Sequence, residues 1–289
     1  MLIPALFLVY YVSFLPIGKF WTGVWSGIKK LWPHIGIAGL YLILRLTALN
    51  FNHTLNFYYQ QPSEYSQNIF YRIFTFGRVL AEYLWLIVWP TGLHMERDVP
   101  LVTSPLSGPV IFLVGFVTAI VFLLITLYRR QQRSQFALSL YQTVLFSAGW
   151  FFVGLALVAG FIPINAVMYE HWLYLPIIGA SAVGGFLLAS LLERLTHHQL
   201  AWGIIVVVLV AYGSFLSVQT IKRNVLWGNP IKFYEDILRY NPSTVRILNN
   251  LANLYNNQGN TSALKSSMSR LSLNPTADSL PSPITILVI

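Results

Sequence analysis

Val110-Ile-Phe-Leu-Val-Gly-Phe-Val-Thr-Ala-Ile-Val-Phe-Leu-Leu-Ile-Thr-Leu127, followed at once by Tyr128-Arg129-Arg130, decides the class of this chain. A bilayer span needs about 20 predominantly apolar residues, and this run supplies them without a charge. The basic cluster Arg129, Arg130 and Arg133 directly after it marks a cytoplasmic loop, since Lys and Arg concentrate on that side. Composition agrees: 56% of the 289 residues are hydrophobic and 9% charged, against about 25% charged in soluble domains. The mean hydropathy is +0.62. Many of the nine Trp and sixteen Tyr lie near the ends of apolar runs, where aromatic belts form. With no cysteine, disulfides and thiolate metal sites are excluded.

Working outward, further apolar runs occupy residues 2–15, 35–49, 79–93, 136–162, 173–192 and 202–218. The run at 35–49 reaches span length as 31–51, with Arg45 snorkelling to one side. The run at 79–93 is short, begins with Arg78 and Glu82 and ends at Trp89-Pro90. The basic loops place both of its flanks outside, so residues 71–93 read as a re-entrant or interfacial helix, tolerated where it is buried in protein. The expected fold is therefore all-α: a polytopic helical membrane protein of about six spans plus that helix. Residues 19–30, the Arg129 loop, and Arg194 with His197 and His198 read as cytoplasmic, and the Glu170 loop as outer. The net charge of +9 fits topology and anionic-lipid contact, and nucleic acid is not expected as a partner.

After Val218 the chain becomes polar. Pro230–Tyr240 reads as one amphipathic helix with Phe233, Ile237 and Tyr240 on one face. A helical hairpin follows, with Leu248, Leu251, Ala252 and Tyr255, a turn at Gly259, then Ala263 and Leu264. Asn241-Pro242 and Asn274-Pro275 stand 33 residues apart, close to the tetratricopeptide period of 34. Ser267 and Arg270 depart from that pattern. The domains are then 1–224, transmembrane; 225–275, tetratricopeptide-like; and 276–289, an irregular tail.

The chemistry gathers in the outer loops. Arg72, Arg78 and Arg97 suit a lipid-linked phosphate, because the guanidinium fork matches phosphate geometry. Glu96 and Asp98 beside them could hold a divalent cation or orient a sugar hydroxyl. Glu170-His171 is a charged pair leading straight into an apolar run, a costly placement that marks function in membrane proteins. Against this stands the plainer reading, in which the arginines neutralise Glu82, Glu96 and Asp98 and anchor the interface. No metal-ligand spacing, Walker loop or Gly-x-Gly-x-x-Gly occurs.

Tyr169-Glu170-His171-Trp172-Leu173-Tyr174-Leu175-Pro176-Ile177-Ile178-Gly179 resembles the signature of transmembrane and tetratricopeptide repeat protein O-mannosyltransferases and their bacterial relatives. Tyr83-Leu84-Trp85-Leu86-Ile87-Val88-Trp89-Pro90 is similar to a second element of that family. The junction through Trp227 and Phe233-Tyr234 to Asn241-Pro242 is similar to a third. The resemblance covers roughly residues 35–275. It implies a GT-C type glycosyltransferase: all-helical, in the bacterial inner membrane, with its C-terminal segment periplasmic. It would use a polyprenyl-phosphate sugar as donor and a protein or glycan as acceptor. The family's catalytic acidic residue lies in the first outer loop, and this chain has no Asp or Glu before Lys19. The chain thus resembles the C-terminal half of such a membrane domain plus an opening repeat. Competing readings are a non-catalytic membrane scaffold whose outer repeats bind a partner protein and, last, a transporter of lipid-linked sugars, for which no repeated halves are found.

Overall fold

A computed structural model describes residues 2–15, 20–49, 64–95, 97–162, 166–242 and 244–272, all-helical with turns and loops between. Glu96, Lys19, Asn274-Pro275 and the expected tail at 276–289 lie outside the described residues. Four of the described helices are long and apolar enough to cross a membrane: Gly108–Arg130, Gln135–Leu155, Pro176–Arg194 and Gln199–Trp227. The chain divides into two compact units, one of residues up to Trp89 with 99–204, the other of residues 90–98 with those from Ile205 onward.

The first unit begins with a helical hairpin, α1 (Ile3–Ser13) on α2 (Phe20–Leu46). Lys29 and Lys30, expected in a loop, lie inside α2. The helix continues through them because its glycine face packs against α1, which holds it beyond the apolar run. A short α3 (Glu64–Gln67) precedes α4 (Ile69–Val88). The Asn68 side chain caps α4 by accepting the Phe70 N–H at 2.9 Å, satisfying a donor that a helix start leaves open. Arg72, Thr75, Phe76, Val79, Leu80, Tyr83 and Leu86 are its buried face, spaced as one side of a 3.6-residue helix requires. With Arg72, Arg78 and Glu82 in its length, α4 is not one of the four helices apolar enough to cross.

Helices α5 (Gly108–Arg130), α6 (Gln135–Leu155) and α7 (Pro176–Arg194) complete this unit. The α6 helix packs against α1, α5 and α7 and holds the middle of the unit. Two boundaries differ from the hydropathy reading. Residues 156–162, counted as the end of an apolar run, form turns. Gly160 sits there at φ +87°, a conformation that costs other residues free energy. Leu173, counted as the start of the next run, instead ends a 3-10 turn over Glu170–Leu173, and Pro176 opens α7 in its first turn, where its missing N–H costs nothing. Gly179 lets α7 lie directly on α6: a Cβ there would stand 2.6 Å from the Ser147 carbonyl oxygen and 3.0 Å from the Phe151 nitrogen. Small residues at helix contacts are how membrane helices approach closely.

The second unit contains most of α8 (Gln199–Trp227), then α9 (Pro230–Tyr240), α10 (Val245–Asn257) and α11 (Thr261–Ser272). The α8 helix runs past the expected end at Val218 through Lys222 and Arg223. Arg223 pairs with Asp236 on α9 at 3.2 Å, both side chains largely buried. The Asn229 side chain starts α9 by accepting the Lys232 N–H at 3.1 Å. Ile237, Leu238, Ile247, Leu248 and Leu251 form the core between α9 and α10, so the amphipathic faces read from the sequence do meet. Gly259, at φ +70°, makes the turn into α11.

Candidate functional site

Tyr83 is wholly buried on α4, and its hydroxyl donates to the Tyr169 carbonyl at 2.9 Å. This bond joins the two sequence elements Tyr83–Pro90 and Tyr169–Gly179 across 86 residues. The Trp172 N–H donates to the same carbonyl at 3.3 Å, closing the turn Glu170–Leu173, and the Tyr174 N–H donates to the His171 carbonyl at 3.2 Å. Leu173 and Tyr169 are buried and anchor the turn from inside. Trp150 on α6 donates its indole N–H to the Leu175 carbonyl at 2.9 Å. The turn is thus tied to α4 on one side and α6 on the other, with its polar residues carried outward. His171 is exposed and its ring lies at 22° to that of Tyr169, centroids 5.1 Å apart. Glu170 is half-buried beside it.

Arg72 behaves differently from the expected phosphate ligand. It is 4% exposed. Its Nε donates to the Gly160 carbonyl at 2.7 Å, and one terminal nitrogen donates to the carbonyls of Ser66 at 2.7 Å and Tyr65 at 3.2 Å. A buried charge is expensive unless hydrogen bonds replace water, and these carbonyls do so. The guanidinium therefore locks α3 and the Gly160 turn onto α4. The approach is tight: a Cβ on Gly160 would stand 2.9 Å from the Arg72 Cβ and 3.0 Å from its carbonyl. Burial pushes the neighbouring Tyr65 phenol up, against the lowering influence of Arg72. Arg78, by contrast, is exposed on the opposite face of α4.

The expected residues divide between the two units. Arg72, Arg78, Glu170 and His171 belong to the first, and Arg97 and Asp98 to the second. Glu96 lies outside the described residues. His94 and Met95 are built into the helical hairpin of the second unit. Met95 packs on the α9–α10 core. The His94 ring stacks on Tyr240 at 4.2 Å and 3°, and its Nδ1 meets the Gly92 carbonyl at 2.6 Å. Arg97 donates to that same carbonyl at 3.2 Å, while Asp98 is exposed. The Gln219 amide donates to the Pro90 carbonyl at 3.1 Å. Sequence reasoning missed His94, Met95 and Gly160. Only an apolar methionine in a polar loop and two glycines hinted at them.

Among the described residues, no group of three or more His, Cys, Asp or Glu side chains is placed to hold a metal ion. Comparison with protein families, curated proteins and solved structures finds no match.

Proposed function

We propose that this chain is part of a polytopic membrane glycosyltransferase of the GT-C type, resembling the transmembrane and tetratricopeptide repeat O-mannosyltransferases. It handles a sugar on a polyprenyl phosphate at the outer face. The observation that carries the reading is the Tyr83–Tyr169 hydrogen bond. It unites two of the three elements on which the resemblance rests and holds Glu170 and His171 at the entrance of a helix of membrane-crossing length.

The chemistry required is a displacement at the anomeric carbon. An acceptor hydroxyl oxygen forms the new bond, the sugar–phosphate C–O bond breaks, and the polyprenyl phosphate leaves with the electron pair. The acceptor proton passes to a base. Exposed Arg78 and His171 are the candidates to meet the anionic phosphate, and Glu170 to orient a sugar hydroxyl. Arg72 serves as a positioning residue that shapes the Gly160 turn. The second unit, with His94 and Met95 folded into its hairpin, is the candidate to receive the protein or glycan acceptor. Transfer of labelled sugar from a polyprenyl-phosphate donor, measured in membranes carrying the protein, tests the reading. Glu170→Gln should lower transfer by at least about a hundredfold, the scale of losing a positioned charged group. Unchanged transfer in that variant sinks the assignment.

A further inference from the structure

The first half of α2 carries an exposed stripe that the glycosyltransferase reading does not use. At about 100° per residue, Trp21, Trp25, Lys29 and Trp32 fall within one ~80° sector of the helix. Trp21, Trp25 and Trp32 are 81%, 61% and 69% exposed. The other side of this half-helix carries Gly23 and Gly27, which face α1: a Cβ on Gly23 would meet the Leu15 side chain, and one on Gly27 would stand 2.7 Å from the Tyr11 ring. The stripe is therefore the side that α1 leaves open.

Both lysines are held by rings. The Lys29 Nζ lies 5.8 Å from the Trp25 ring centroid, and the Lys30 Nζ lies 5.1 Å from that of Tyr11. This places two ammonium groups on the same turn, between Trp25 and Trp32 and about 100° apart around the helix. Beyond Pro33 the same helix turns apolar, with Ile35, Ile37, Leu40 and Ile43 exposed. The first acidic residue in the whole sequence is Glu64, so no nearby carboxylate in the chain before it competes for these cations.

We infer that residues 21–32 of α2 lie at the headgroup level of a leaflet and bind anionic phospholipid. The tryptophan rings occupy the interface, as aromatic belts do, and Lys29 and Lys30 meet the lipid phosphates. Charge complementarity favours an anionic lipid over a protein surface. The apolar continuation of the helix sets the depth. This inference needs only the membrane, not the glycosyltransferase reading.

The chain has no cysteine, so Ile28→Cys takes a single fluorophore beside the stripe. The labelled full chain is reconstituted in phosphatidylcholine bilayers containing headgroup spin-labelled phosphatidylglycerol or phosphatidylcholine, and quenching is compared. Phosphatidylglycerol should quench preferentially. Lys29→Gln with Lys30→Gln should cut that preference about fivefold per lysine, while Lys29→Arg with Lys30→Arg keeps it. A label at Val117→Cys on α5 should show no preference in any variant and reports intact insertion. No preference at residue 28, or a preference that survives the double glutamine change with the α5 label unaltered, overturns the inference.

Discussion

Tyr83→Phe removes one oxygen from the bond between α4 and the Glu170 turn, and the size of its effect can be worked out beforehand. Tyr83 is fully buried, so its ring packing survives the change while the 2.9 Å bond to the Tyr169 carbonyl is lost. A buried carbonyl left without any donor costs about 1–3 kcal/mol. Here the Trp172 N–H still reaches that oxygen at 3.3 Å, so the carbonyl keeps a partner. The expected loss is that of one neutral hydrogen bond, about 0.5–1.5 kcal/mol. The consequence is local, since the bond fastens a turn rather than a helix. Amide hydrogen exchange at Trp172 and Tyr174, read by mass spectrometry on the membrane-reconstituted protein, should accelerate about 2- to 10-fold. Exchange in the middle of α5 should not move. Unchanged exchange at Trp172 would show that Tyr83 does not hold the turn. Acceleration of a hundredfold or more would show that the Trp172 bond does not protect the carbonyl.

Gly160→Ala combines a left-handed backbone at φ +87° with a Cβ 2.9 Å from Arg72; thermal unfolding should show a loss of at least about 1–3 kcal/mol. Gly179→Val should lower the unfolding temperature by separating α7 from α6, whereas Gly184→Ala, with nothing within 4 Å of its Cβ position, should raise it slightly, since alanine favours a helix interior over glycine. The Tyr255 phenol is pushed up from its ordinary value near 10 to about 12, first by burial and then by its 2.7 Å hydrogen bond to Glu235. Its neutral form is the one the fold favours, so this contribution is present below pH 10 and lost as pH rises towards 12. The difference in phenolate absorbance between the protein and Tyr255→Phe should locate the titration there, and Glu235→Gln should bring it down. Arg72→Lys should destabilise the first unit, because one ammonium cannot reach the carbonyls of Gly160, Ser66 and Tyr65 with the fork's geometry.

Local chemistry made much of this chain legible. The helix of membrane-crossing length at Gly108–Arg130 follows from an unbroken apolar run ended by arginines. The bounds of Pro230–Tyr240 follow from Asn229, Pro230 and Asn241-Pro242, and the positions of Leu248, Leu251 and Ala252 follow from helical periodicity. Helix ends are set within a turn or two by caps, prolines and charge, so such features can be read where they are written. The Glu170-His171 pair stood out for the same reason, as charge at the edge of an apolar run.

Other features depend on residues far apart in sequence, which no local pattern encodes. Arg72 looked like a free phosphate ligand because Gly160, 88 residues away, carries no signal that its carbonyl will meet a guanidinium. Met95 and His94 looked like loop residues until the α9–α10 hairpin supplied a core and a ring for them to cover. The division of the expected site between two units is likewise invisible along the chain. Sequence alone determined an all-helical, membrane-length class, the polar hairpin after it, and which side chains could do chemistry, because hydropathy, capping and charge act within a few residues. Tertiary structure alone decided which of those side chains are consumed in holding the fold and which face outward, because a buried charge or hydroxyl takes whatever partner packing brings within hydrogen-bonding distance.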